Sequence, residues 1–327
     1  MDDQDFVAAG LLDAGSPEAE ARRALLNHFV ELGLSIEAMQ HAAAIGSLHA
    51  AGSDAAIRPG PPVSIHEVAE SAGLTVDMVR RVMTAAGLVV SDDDFRSADR
   101  ETFTIFALGA ALLGDEATLR FTRALGAALG QVAEAAISSF LVEVEAPIVQ
   151  DRPDELTLAR ATENAVASLI AVPDVMDGLF RLHVVEAIRR QRASNAGSAG
   201  PGMFRLAVGF VDLVGFTPLS RNLTPAQLAE LVESFEMNAN EIVALAGGRV
   251  VKHIGDEVMF SAVDAASAAR IARSLVQRFT EHHGVAPHAG IAYGAVLGRG
   301  GDFYGPVVNL ASRITDIAVP DEILVTE

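Results

Sequence analysis

The chain is expected to fold as two unlike parts, an N-terminal all-α domain over residues 1–193 and an α+β domain of ferredoxin-like topology over residues 204–327. Three observations carry this. Apolar residues recur at helical spacing through the first part, as in Ala24, Leu25, His28, Phe29 and Leu32, and in Phe121, Leu125, Ala128, Leu129, Val132 and Ala136. A small, polar, Gly-rich stretch at 192–202 then breaks the pattern and reads as a flexible linker, set at 194–203. After it the signals follow the order β-α-β-β-α-β.

Taken in order, helix starts stand at Ser16-Pro17-Glu18, at Asp115 and at Pro153-Asp154-Glu155. No alternating strand pattern interrupts this region. Its last helix, about 174–192, runs straight into the linker and is placed to transmit rotation or strain. Residues 204–212 read as a buried strand. Thr224 as N-cap and Pro225 at the first helical position start a helix that Gly247-Gly248 stops. Strands at 249–254 and 257–262 meet at Gly255-Asp256, and a helix at 264–283 and a strand near 287–296 follow. A Gly-rich loop over 294–305, a helix at 306–317 and a strand at 322–326 complete the pattern.

Composition narrows the function. No apolar run reaches the ~20 residues of a membrane helix, so no membrane span is expected. Met1-Asp2-Asp3 lacks the basic start of a signal peptide. Cysteine is absent, which removes disulfides, thiolate metal sites and a Cys nucleophile. These features point to a soluble cytoplasmic protein. The net charge of −19 divides as −14 over residues 1–195 and −5 over the remainder. So acidic a surface repels nucleic acid and anionic lipid, and the C-terminal part is the better host for an anionic substrate.

Lysine occurs once, at Lys252, against 23 arginines. It lies in the apolar run 250–260, where a merely solvated charge would be served by arginine. On a regular strand 252, 254 and 256 point one way and 251, 253 and 255 the other. His253 is therefore expected to be a packed or solvent-facing residue. Asp212 sits among apolar side chains at a strand end and needs a cation or several donors. The following Gly215 and Thr217 would let backbone amides approach phosphates. Gly255-Asp256 alone is ordinary hairpin chemistry. In this topology, however, the first strand neighbours the hairpin, so Asp212 and Asp256 converge. Two carboxylates from separate strands suit Mg²⁺ shared with substrate phosphates. Asn309 and Arg313, four apart on a helix, share one face and suit a ribose or ring contact and a transition-state phosphate.

Together these clusters resemble the catalytic domain of class III nucleotidyl cyclases over residues 204–327. The resemblance implies that Asp212 and Asp256 bind two divalent ions, Mg²⁺ or Mn²⁺, and that Lys252 and Asp302 select the purine. It implies that Asn309 and Arg313 stabilise the transition state. A lysine donor and an aspartate acceptor complement the adenine edge, which favours ATP. In this family each site is shared between two catalytic domains. All six residues in one chain therefore imply a homodimer that converts ATP to 3′,5′-cyclic AMP and pyrophosphate. The family's domain normally continues further, so the resemblance implies a C-terminally incomplete catalytic domain.

The first part resembles, by architecture more than motif, the helical regulatory region of soluble mycobacterial-type cyclases, including pH-sensing ones. It is expected to inhibit the cyclase in one packing and release it in another. Five of the nine histidines lie there: His28, His41, His49, His66 and His183. An apolar ligand between its Ala- and Leu-rich helices is a second expectation. Two alternatives stand beside the enzyme: a catalytically silent cyclase-like sensor, and a DNA-binding regulator using a helix-turn-helix-like segment at 64–87. That segment holds only Arg80 and Arg81 as basic residues, so no nucleic-acid partner is expected.

Overall fold

The computed structural model describes all residues except 1, 58–59, 93, 151–153, 171, 195–201, 216–220, 222, 284–285 and 327. Most of the linker expected at 194–203, and Thr217, lie outside the described residues. Two compact units form, Met1–Leu179 and Phe180–Glu327.

The first unit is helical, as the apolar spacing predicts. Helices α1 (Asp3–Ala8), α2 (Ala19–Glu31), α3 (Ile36–Ala44), α4 (Ala51–Ile57) and α10 (Glu155–Ile170) gather around Phe6, Leu25, Leu26, Phe29, Met39 and Ala159. A second core holds Ile65, Val68, Val79, Phe95, Phe103 and Leu119. It is built from α5 (Ile65–Ala72), α6 (Val76–Ala85), α7 (Asp99–Leu113) and α8 (Asp115–Phe140). Ser64 caps α5 through a capping box with Glu67, Gly73 ends it at φ 65°, and Thr75 caps α6. The 64–87 segment is thus a true helix-turn-helix. A two-residue pair, β1 (Pro62–Val63) with β2 (Phe95–Arg96), adds a scrap of sheet that the sequence did not predict. The two arginines of the helix-turn-helix are neutralised: Arg80 pairs with Asp92, and Arg81 with Glu116 at 2.7 Å.

After α8 a π turn at Leu141–Glu145 leads into α9 (Ala146–Gln150). The helical stretch Asp115–Ile148 contains an 18-residue window of mean hydropathy 1.5, long and apolar enough by length and composition to cross a membrane, and that window is not buried. No continuous apolar run forms there, because Glu134, Ser138 and Ser139 interrupt a stretch whose average Ala and Leu keep high. Phe121, Leu125, Leu129 and Val132 form an exposed apolar row along it. The last helix, α11 (Val172–Ser194), begins in the first unit and from Phe180 onward belongs to the second.

The second unit carries a six-stranded sheet, counted over the described residues, in the order β4-β5-β3-β6-β7, with β8 joined to β6. The strands are β3 (Met203–Val214), β4 (Arg249–Ile254), β5 (Glu257–Ala262), β6 (Ala286–Arg299), β7 (Asp302–Tyr304) and β8 (Ile323–Val325). All pairings are antiparallel except β6 with β8. The central order β4-β5-β3-β6 is the ferredoxin-like arrangement. Helices α12 (Pro225–Leu245) and α13 (Ala265–His283) cover one face through Phe235, Val243, Ile271, Leu275 and Phe279. Helix α14 (Pro306–Ile317) crosses the other face above Phe210, Met259 and Ala292.

The Gly-rich loop expected at 294–305 is mostly strand. β6 runs to Arg299 and turns at Gly300 and Gly301, both at positive φ (60° and 84°), so that Arg299 pairs with Asp302. Two such residues make the tight turn whose twist suits a hairpin. The other glycines of β6 serve packing. A Cβ on Gly290 would stand 2.5 Å from the backbone nitrogen of Thr315 and 2.6 Å from the carbonyl oxygen of Ala311. Helix α14 can therefore lie directly on the sheet only because residue 290 has no side chain.

Candidate active site

Five of the six residues singled out from the sequence, Asp212, Lys252, Asp302, Asn309 and Arg313, gather on the α14 side of the sheet, and Asp256 stands at the hairpin tip beside it. Strand register sets them in two rows. One runs Lys252–Met259–Phe210–Gly290, the next Ile254–Glu257–Asp212–His288. Cross-strand partners project to the same side, so Lys252 and Asp212 share this face. His253 turns the other way and packs edge-on against Phe235, 6.2 Å between ring centroids. That fits the packed role, one of the two expected of it. The alternation holds for 252 to 254 but not for 251. A bulge between Val250 and Lys252 lets Val251 join Lys252 on the α14 side.

Lys252 Nζ donates to Asp302 Oδ2 at 2.6 Å, and the other carboxylate oxygen accepts from the Phe303 backbone N–H at 2.7 Å. Both groups of the expected purine pair are thus held together at the mouth of the site. Beside them, Phe210, Met259, Val308, Asn309, Ser312 and Arg313 line a cleft of about 480 Å³ with Lys252. Gly305 and Pro306 start α14, and the 309-to-313 spacing puts both polar side chains on its cleft side. Neither side chain has a hydrogen-bond partner among the described residues. Their donors stand unengaged at an open cleft.

The acidic end is electrostatically tense. Asp212 lies across from Glu257, and Gly255 at φ 65° turns the chain so that Asp256 follows at the hairpin tip. Burial, and then the charge of Asp212, push the Asp256 carboxyl up. Burial pushes Glu257 up to about 7, with Asp212, Asp316 and Asp256 adding to it. His288 Nε2 is 3.4 Å from Asp212 Oδ2, the one nearby partner of opposite potential charge, while its Nδ1 is buried and unpaired. Crowded carboxylates that raise one another's pKa are short of positive charge, and this donor set fits a divalent cation. Among the described residues no group of three or more His, Asp or Glu is arranged to hold a metal alone. A pair of aspartates that needs substrate oxygens to complete the shell has that property.

Glu257 and His288 were not found from the sequence. Glu257 adjoins Asp256 and was read as the start of a strand. His288 becomes visible only when β6 is laid beside β3. A test follows from Glu257. Its folded pKa of about 7 lies above the ordinary 4.5, so the fold favours the neutral acid. Stability from this group is therefore present below the lower value and lost as pH rises through the interval. Glu257→Gln should unfold at a higher temperature than the parent above pH 7 in chelator, with the gap closing in acid, as read by thermal melts across pH.

Comparison with known proteins agrees with this geometry. The family model described as adenylate cyclase regulatory domain matches residues 4–188, and that of the adenylate and guanylate cyclase catalytic domain matches residues 203–327. An adenylate cyclase of Streptomyces coelicolor is 37% identical over 272 residues, which cover 79% of this chain and 68% of that protein. An uncharacterized protein of Mycobacterium tuberculosis is 33% identical over 334 residues, 99% of this chain and 86% of that protein. A pH-sensitive adenylate cyclase of the same species is 29% identical over 333 residues, 96% of this chain and 80% of that protein. The ferredoxin-like sheet and its polar cleft lie within residues 203–327, the part matched as a nucleotidyl cyclase catalytic domain. The chain belongs to the class III adenylate cyclases in which a helical regulatory domain precedes the catalytic domain, and it is an enzyme.

Proposed function

We propose that this protein converts ATP to 3′,5′-cyclic AMP and pyrophosphate at sites shared between two copies of the chain, under control of its helical domain. The observation that carries the reading is the Lys252–Asp302 pair at the mouth of the Asn309–Arg313 cleft. The pair offers an ammonium donor and a carboxylate acceptor, which match the N1 and exocyclic amine of adenine. Guanine presents the opposite polarity and would leave both groups unpaired. Asn309 would orient the ribose, and Arg313 would meet the charge that builds on the α-phosphoryl oxygens as the ribose 3′-oxygen attacks. Asp212 and Asp256 would hold Mg²⁺ or Mn²⁺. Such ions, when bound, supply Lewis acidity to the attacking and leaving oxygens. Among the described residues no side chain stands out as a dedicated base.

Sharing of the site rests on openness: Asn309 and Arg313 are exposed and unengaged in a single chain. A two-fold dimer would place them against the carboxylates of the partner. Mixing tests this together with turnover. Asp212→Ala and Arg313→Ala should each be inactive with ATP and metal. Their mixture should regain about a quarter of parental activity, because half the dimers are mixed and each mixed dimer has one intact site. Continued inactivity of the mixture, with mixed dimers shown to form, would reject the shared site.

For regulation, residues 1–193 form the controlling domain in this reading, with 194–203 as the connector and 204–327 as the catalytic part. His28 ties two helices of that domain together: its Nε2 lies 2.9 Å from both carboxylate oxygens of Glu163, half-buried between α2 and α10.

A further inference from the structure

On the second unit, on the other side of Asp302 from the cleft, residues of α11 and of the sheet line a separate cavity of about 310 Å³. Three arginines line it: Arg190 from α11, Arg249 at the start of β4 and Arg299 at the end of β6. Asp302 is the one acidic residue in its wall. Its two oxygens are already taken by Lys252 and the Phe303 N–H, at 2.6 and 2.7 Å. Arg249 donates to the Gly301 carbonyl and stacks over the Phe303 ring, 5.5 Å from its centroid. These contacts hold it in place without neutralising it. Burial and the charge of Arg190 make its protonated form less comfortable than in water. Arg190 and Arg299 have no hydrogen-bond or ion-pair partner among the described residues. Three arginines thus line one cavity whose single acidic lining residue among the described ones is already engaged, in a protein of net charge −19 that has acidic residues in excess to place there. The rest of the wall is mostly apolar, with Phe204, Leu206, Ala262 and Val263 beside the polar Gln191 and Ser261.

We propose that this cavity binds a small organic phosphate, its phosphoryl group on Arg190, Arg249 and Arg299 and its apolar body against Phe204 and Val263. Guanidinium groups present paired N–H donors that match phosphate oxygens. The cavity exceeds what one phosphate fills, and the apolar wall accounts for the excess. Arg249 also grips Gly301, next to Asp302, so occupancy would stiffen the hairpin that carries Asp302. That consequence rests on the base-reading role proposed for Asp302, whereas binding itself does not.

The test therefore omits ATP and metal. Phenyl phosphate and inorganic phosphate are titrated calorimetrically into the full chain in chelator at constant ionic strength. Phenyl phosphate is expected to saturate one site per chain more tightly than inorganic phosphate. Arg190→Gln and Arg299→Gln should each weaken it about 10-fold or more, the cost of one charged hydrogen bond, with unchanged circular dichroism. Arg313→Ala should bind as the parent does. Absence of saturable binding, or equal affinity in the arginine variants, overturns the site. Loss of binding in Arg313→Ala overturns it too, by moving the anion to the cyclase cleft. Equal affinity for the two probes overturns the organic body.

Discussion

Asp212→Ala lowers metal-dependent turnover by roughly three orders of magnitude, the scale of losing one preorganised electrostatic partner at a reacting phosphate, and leaves the melting temperature near that of the parent. The position explains both halves. Asp212 stands at the open end of β3, between Glu257 and His288, and its side chain is about a third exposed (34%). Its neighbours Val211 and Leu213 anchor the strand on the opposite side, among the helices. Replacing the carboxylate removes charge from a crowded cluster and leaves that apolar anchor untouched. The burden on Asp256 and Glu257 should in fact ease, since the charge of Asp212 is what each feels after burial. Cyclic-nucleotide assay across Mg²⁺ and Mn²⁺ concentrations, with thermal melts in chelator, checks it. Parental activity in the variant would remove Asp212 from the metal site.

Lys252→Glu combined with Asp302→Cys should erase most of the preference for ATP over GTP. A site built to hydrogen-bond one base rejects another by up to roughly 10⁴ when its polar groups are left unpaired. Both side chains are at the cleft mouth and partly exposed, 43% and 22%, so the exchange should be borne without loss of fold. The pair itself contributes little stability at such exposure. Competition between the two nucleotides, read as a ratio of kcat/KM, separates selectivity from general damage. An unchanged ratio would refute the base-reading assignment.

Much of the catalytic half was legible before any coordinates. The hairpin strands 249–254 and 257–262 were read to the residue because apolar runs flank Gly255-Asp256, and Thr224-Pro225 marked its helix equally well. The lone lysine pointed to its partner only through the family resemblance; the 2.6 Å contact is a fact of β4 and β7 lying near one another. What escaped was tertiary. Gly294 and Gly298 looked like loop residues, yet a Cβ at 294 would meet Val307 at 2.8 Å and one at 298 the Phe204 ring at 2.4 Å. They are strand glycines shaped by neighbours that sequence spacing does not reveal. The pairing of β1 with β2 spans two residues, too short for any periodicity to register. For α8 the helical spacing was plain, but not that its apolar row would remain uncovered within one chain.

The extra residue at 251 has an evolutionary implication. Val250 lies opposite Phe260 and Lys252 opposite Met259, so β4 carries one residue more than β5 there. Dropping Val251 would restore strict alternation and still leave Lys252 opposite Met259, on the α14 side. Nucleotide choice is therefore insulated from an in-frame deletion at this codon, and the bulge marks a place where chain length can drift without turning the sole lysine.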